Sequence, residues 1–198
     1  MVVIGVTGHR FLVNVNKIEA GVAKGLDRIL EAFPGDSLRV ISSLAEGADR
    51  MVAHQVLSRP NGRLMAVLPL RKSDYMKDFQ LEESKQEFTS LLGRADEVVE
   101  LDTASTREEA YEAAGRYVLE HCDVLVALWD GRDGQGRGGT GEVVGEARQR
   151  GLPIAWVHVG NRKPGTSEPT TLGEDQGKLS FERFPDREAP TRAREEHG

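Results

Sequence analysis

The sequence predicts an α/β fold: a doubly wound, Rossmann-like three-layer sandwich around a mainly parallel sheet of about six strands. Three observations lead there. Short β-branched apolar runs alternate with segments of helical period from residue 2 to residue 159. The runs are continuously apolar, not alternating, as in strands buried on both faces. Several runs end in loops rich in glycine and small residues, which is where such sheets open to ligands.

Taken in order, VVIGV (2–6) is a short β-branched run closed by a glycine turn, hence a buried strand. Ile18, Val22, Leu26, Ile29, Leu30 and Phe33 then recur at helical spacing. Asn16 and Glu19 have the spacing of a capping box, and Pro34-Gly35 stops the helix. LRVIS (38–42) is the second strand and EGADRMVAHQVL (46–57) the second helix. RLMAVLPL (63–70) is the third strand, followed by one polar helix from about Asp74 to Leu92. EVVEL (97–101) is the fourth strand. Thr106 and Glu109 are a capping pair for a helix reaching about His121. DVLVALW (123–129) is the fifth strand, Thr140 to Arg150 a helix, and IAWVHV (154–159) the sixth strand after Gly151-Leu152-Pro153. Residues 161–198 hold four prolines, many charges and few large apolar groups, so they read as a polar, flexible tail. Within it, KLSFERF (178–184) has the pattern of a short added strand or docking segment.

At 198 residues the chain is long enough for one full core plus a tail. No apolar run approaches the ~20 residues of a membrane span, and MVVIGVTGHR lacks the basic start of a signal peptide. The single cysteine, Cys122, excludes an internal disulfide and a cysteine zinc cluster. Together these features predict a cytoplasmic protein with no membrane partner. A net charge of −6 disfavours nucleic acid as a partner. No zinc-ligand spacing and no G-x-S-x-G elbow is present, and no cofactor or metal is expected.

Four loops carry the candidate chemistry. GVTGHRF (5–11) offers Thr7, Gly8, His9 and Arg10: glycine for close backbone approach, and two side chains with donors for an anion. SSLAEGAD (42–49) offers Ser43, Glu46, Gly47 and Asp49 at a strand-to-helix junction, where carboxylates favoured by the helix dipole also suit a ribose. His54, among apolar positions, reads as a packed histidine. Beyond the third strand, Pro69, Tyr75 and Asp78 read as a pocket wall, Tyr75 also being a natural core residue. The fourth loop, Asp130 to Glu142, spends six glycines just before a helix. Gly138, Gly139 and Thr140 sit where free amides and the positive dipole end cradle a phosphate. Glu142 at the same mouth is the candidate catalytic carboxylate, or a plain first-turn acid. No Lys-Ser or Lys-Thr follows the glycines, so this is not a Walker loop.

VISSLAEGADRMVAHQVL resembles the Ser-Gly-x-Ala-x-Gly-Ile-Asp-x-x-Ala-His signature of the DNA-processing protein A family, through Ser42, Ala45, Gly47, Asp49, Ala53 and His54. Ser43 stands where that family has glycine. DVLVALWDG…GGTGEVV is similar in placement to the phosphate loop of the "lonely guy" (LOG) phosphoribohydrolases. Both families belong to the SLOG superfamily of Rossmann-like nucleotide-binding domains, and the resemblance spans about residues 2–159. It departs at two places. Glu142 lies one residue off the LOG spacing from Thr140, and Ala114-Gly115 replace an Arg-Lys pair. The Gly-Thr-x-x-Glu segment of nucleoside 2-deoxyribosyltransferases is also similar to GGTGEVVGEARQRGLPI, again with the glutamate displaced by one. The resemblance implies a binder of a nucleotide or ADP-ribose-like signal, as sensor or carrier, and a homodimer. The alternatives are an enzyme of N-glycosidic hydrolysis or transfer centred on Glu142, and single-stranded DNA handling. The acidic balance and few aromatics weigh against the last.

Overall fold

The computed structural model describes residues 1–35, 37–102, 104–132, 138–163, 166 and 168–185. It is an α/β sandwich with seven strands in one sheet: β1 (Val2–Gly8), β2 (Leu38–Ser42), β3 (Arg63–Leu68), β4 (Glu97–Glu100), β5 (Val124–Trp129), β6 (Ile154–His158) and β7 (Leu179–Glu182). The order is β4-β3-β2-β1-β5-β6-β7, parallel throughout except that β7 runs antiparallel to β6. The helices are α1 (Val15–Ala32), α2 (Ala48–Leu57), α3 (Lys72–Tyr75), α4 (Glu82–Leu92), α5 (Arg107–His121) and α6 (Thr140–Gln149).

The apolar periodicity decides the layers. Ile18, Val22, Leu26 and Ile29 of α1 join Val52 and Val56 of α2 and Phe88 and Leu91 of α4 against Ile4, Val40 and Leu64. On the other face, Leu119 of α5 and Val143, Val144 and Ala147 of α6 cover Leu125, Ala127 and Ile154, while Val118 packs on Ile41, Met65 and Val67. Each fully buried branched side chain contributes roughly 1.5–3 kcal/mol. All six residues of β5 are buried, which is why that run reads as continuous apolar sequence.

The structure alters the sequence expectations at several points. The α1 N-cap is Asn14 in the left-handed region with no side-chain cap, so Asn16 and Glu19 form no capping box. The Thr106–Glu109 box on α5 is present in both directions. The second helix begins at Ala48, not 46, and the third strand ends at Leu68. The single helix expected from Asp74 to Leu92 is instead α3, a 3₁₀ turn at Met76–Asp78, extended chain, and α4. A continuous helix turns ~100° per residue, so Phe88 would point opposite Phe79. The break brings their ring centroids to 5.1 Å, with Tyr75 5.2 Å from Phe79. The added-strand reading of 178–184 is the one the fold adopts, so the sheet continues past residue 160, where a tail was expected. The glycine stretch 133–137 and the tail 186–198 lie outside the described residues. No helix among the described residues is long and apolar enough to cross a membrane.

Candidate functional site

Strand order reverses between β1 and β5, the two strands from which the chain winds outward in opposite directions. Their carboxyl ends open into a crevice of about 1040 Å3, the position at which doubly wound sheets take ligands. Of the residues selected from sequence, Thr7, Gly8, His9, Arg10, Ser43, Asp49, Tyr75, Asp130, Gly138, Gly139 and Thr140 line it. Glu46, Gly47, Pro69, Asp78 and Glu142 do not.

Close packing at the floor explains the glycines. Gly8 pairs with Leu128 across β1 and β5, and a Cβ there would stand 2.7 Å from the Leu128 carbonyl oxygen. Gly47, with φ at 78°, lets the amino end of α2 touch the chain after β1: a Cβ would stand 2.6 Å from the His9 carbonyl oxygen. That oxygen accepts from the Ala48 amide at 3.1 Å. The head of α2 is thus occupied by protein. At α6 the first intrahelical bond from a loop carbonyl is Val143 N to Gly139 O, 3.1 Å. The amides of Thr140, Gly141 and Glu142 precede it and have no intrahelical acceptor, and Thr140 makes no side-chain cap.

Glu142 supports this loop from behind. Its Oε2 accepts from the Gly138 amide at 2.6 Å, and the side chain is exposed. Gly138 itself, φ 74°, packs on α5, a Cβ there falling 2.9 Å from the Glu112 nitrogen. Glu46 accepts from the Ser84 hydroxyl of α4, and Pro69 is buried.

Four cationic side chains line the crevice, Arg10, Arg132, Arg162 and Lys163, against the carboxylates of Asp49 and Asp130. Arg10 lies 5.8 Å over the Tyr111 ring; it forms no salt bridge among the described residues, but its charge acts on the Asp49 carboxylate. The ring is fixed beneath it, because the Tyr111 hydroxyl donates to Asp78, which Arg107 also holds at 2.6 Å. Burial raises the Tyr111 pKa, so the phenol stays protonated. Burial raises that of Tyr75 further, and its ring is core as well as wall.

Asp49 is an inward carboxylate, unlike the solvated first-turn acid its position suggests. Burial pushes its pKa up to about 6, opposed by a hydrogen bond from Ser42, by the Ala45 amide, by the charge of Arg10 and by the Ser43 amide. The Ser42 Oγ donates to it at 3.0 Å and accepts the Leu44 amide at 2.9 Å. Asp49 thereby folds the 43–47 loop. The neighbouring Arg50, which the sequence reading did not select, is buried and binds the Leu44 carbonyl at 3.0 Å and Glu87 at 2.9 Å. His54, expected to be packed, is 47% exposed and pairs with the same Glu87 at 2.9 Å. Arg50 and His54 therefore fasten α2 to α4 through Glu87.

His9 is neutral: burial lowers its pKa, with Asp130 opposing. Its Nε2 accepts the Asp130 amide at 3.1 Å, and Asp130 Oδ1 lies 3.2 Å away. With the ring neutral, that second contact is not an ion pair.

Sequence reasoning missed Tyr111, Arg162 and Phe11. Tyr111 sits in a helix of ordinary composition, and its role depends on Asp78 and Arg10, which reach it from distant segments. No protein-family model matches the chain, and no curated protein matches it.

Proposed function

We propose that the protein binds a nucleotide or nucleotide-derived, ADP-ribose-like ligand in this crevice, as a sensor or carrier. One observation carries the reading: the Arg10 guanidinium, in no salt bridge among the described residues, and the open amides at the head of α6 line the same crevice at the reversal of strand order. Both are anion-binding groups, and their juxtaposition suits a phosphate. The likeness of residues 2–159 to SLOG domains supports the same ligand class. Cleavage or transfer at an N-glycosidic bond, with Glu142 central, is the second reading. The engagement of Glu142 with the Gly138 amide, outside the crevice lining, favours binding over it.

Calorimetric titration with adenosine 5′-monophosphate, ADP-ribose and NAD tests the proposal. At least one is expected to bind, and Arg10→Ala to weaken it about tenfold or more, as loss of a charge-assisted hydrogen bond does. Absence of heat and of thermal stabilisation with all three would sink it. Release of free base from the same mixtures, abolished by Glu142→Gln, would replace it with the enzymatic reading.

A further inference from the structure

Between β6 and β7 the chain forms a strap, whose residues Asn161, Arg162, Lys163 and Thr166 line the crevice. Arg162 pairs with Pro169 in an isolated bridge, and the Thr170 hydroxyl donates to the Asn161 carbonyl at 2.6 Å. The strap is pinned by Gln176, only 3% exposed. Its Oε1 accepts the Gly160 amide at 3.0 Å and the Leu172 amide at 3.1 Å. Its Nε2 donates to the Val13 carbonyl at 2.9 Å. A buried amide with three satisfied bonds specifies one arrangement, because leaving any of them unmade costs the desolvation of that group. This tie joins the strap to the loop after β1, which carries Phe11.

The result is a guanidinium held in a defined place. Arg162 Cζ lies 3.3 Å from the centre of the Phe11 ring, and both residues line the crevice. Stacking by the planar face leaves the in-plane N–H fork free. No carboxylate pairs with Arg162 among the described residues. The neighbouring Lys163 is different: Glu168 neutralises it at 2.7 Å. Arg162 enters from the end of β6, whereas the α6 amides follow β5.

We infer that Arg162 on Phe11 is a second anion subsite, and that the ligand is a nucleotide bearing a second anionic group besides the phosphate at α6. The inference rests on the nucleotide reading above and adds the ligand's second charge. Its selectivity comes from a preorganised fork, with little side-chain ordering left to offset on binding.

The test compares adenosine 5′-monophosphate with adenosine 2′,5′- and 3′,5′-bisphosphate by titration of the full chain. One bisphosphate is expected to bind the wild type about tenfold tighter than the monophosphate. Arg162→Ala should erase that advantage while changing monophosphate affinity less than about twofold. Arg162→Lys should restore only part of it, lacking the planar fork. An unchanged melting temperature in both variants shows that the fold persists. Equal affinity for mono- and bisphosphates in the wild type overturns the inference and leaves the nucleotide reading standing. So does an equal loss for all ligands in Arg162→Ala, which indicates a general field and no subsite. Failure of all three to bind overturns the inference, and the nucleotide reading is then decided by ADP-ribose and NAD in the earlier titration.

Discussion

Gly47→Ala separates packing from ligand contact at the most motif-like position of the chain. Gly47 has φ 78° and ψ −114°, a conformation that costs an L-residue at least ~1–2 kcal/mol. The new Cβ would stand 2.6 Å from the His9 carbonyl oxygen and closer still to that of Arg10. Both obstacles are backbone, so relief means moving the chain after β1 away from α2. That motion lengthens the Ala48–His9 bond, now 3.1 Å, at a further cost of ~1 kcal/mol. Strain, clash and the lost bond together come to roughly 3–5 kcal/mol, at the severe end for one substitution. For a chain of this size each kcal/mol lowers Tm by ~2–4 °C, so a fall of roughly 6–20 °C is expected by differential scanning calorimetry. Gly145→Ala in α6 is the control. A Cβ there meets nothing within 4 Å, and alanine in a helix interior is worth ~0.5–1 kcal/mol, so its Tm should rise slightly. A Gly47→Ala protein melting within about 2 °C of wild type refutes the packing argument. If that protein had also lost nucleotide affinity, Gly47 would be a site of ligand approach.

Three further outcomes follow from the same geometry. Asp49 has a folded pKa of about 6 against an ordinary 3.8, so the folded state holds its proton more tightly. Its contribution to stability is full below about pH 4 and lost as pH rises through 6. At ~1.4 kcal/mol per pH unit, the urea-measured stability of wild type relative to Asp49→Asn should fall by roughly 2 kcal/mol between pH 4 and pH 7; a flat difference refutes it. Glu142→Ala should weaken phosphate binding several-fold although Glu142 does not line the crevice, since it frees the Gly138 amide. Glu142→Gln, which keeps an acceptor oxygen, should stay within about threefold of wild type in the same titration. Thr106→Ala, which removes one half of the α5 capping box, should cost ~1 kcal/mol and lower Tm by ~2–4 °C without altering ligand affinity.

The sheet was legible because its information is local. Each central strand is an uninterrupted apolar run, and burial on both faces needs nothing more. The α1 stripe of Ile18, Val22, Leu26 and Ile29 was readable for the same reason: one face, one period. What sequence could not show depended on partners brought from elsewhere. The break between α3 and α4 answers to Phe88 meeting Phe79, a tertiary demand on a segment whose own propensity is helical. The strap beyond β6 looks like a tail because it is poor in large apolar groups. It is held instead by Gln176, one buried amide bonded to Val13, 163 residues away in sequence.

At the candidate site the division runs along the same line, and it bears on how carboxylates at helix starts are read. Asp49 and Glu142 are both first-turn acids, with the same dipole argument in their favour. Their fates differ because of what each helix head faces. The head of α2 meets the His9 carbonyl, so Asp49 turns inward and ties the 43–47 loop to Ser42. The head of α6 faces open crevice, so Glu142 bends back to the Gly138 amide and leaves the helix's own amides uncovered. An acid turned onto its own loop does not compete for the anion position. A carboxylate projecting into it would repel a phosphate at ~1 kcal/mol or more across 4 Å, even in water. Arg10 above Tyr111 and Arg162 above Phe11 then set the sign of the crevice on its two flanks. Arg162 rests on its ring with no carboxylate paired to it among the described residues, and Arg10 on its ring with the buried Asp49 in electrostatic reach. Under the proposed function the described end of the glycine-rich run, Gly138 and Gly139, acquires a physical reason: it leads into α6 amides beside cationic side chains.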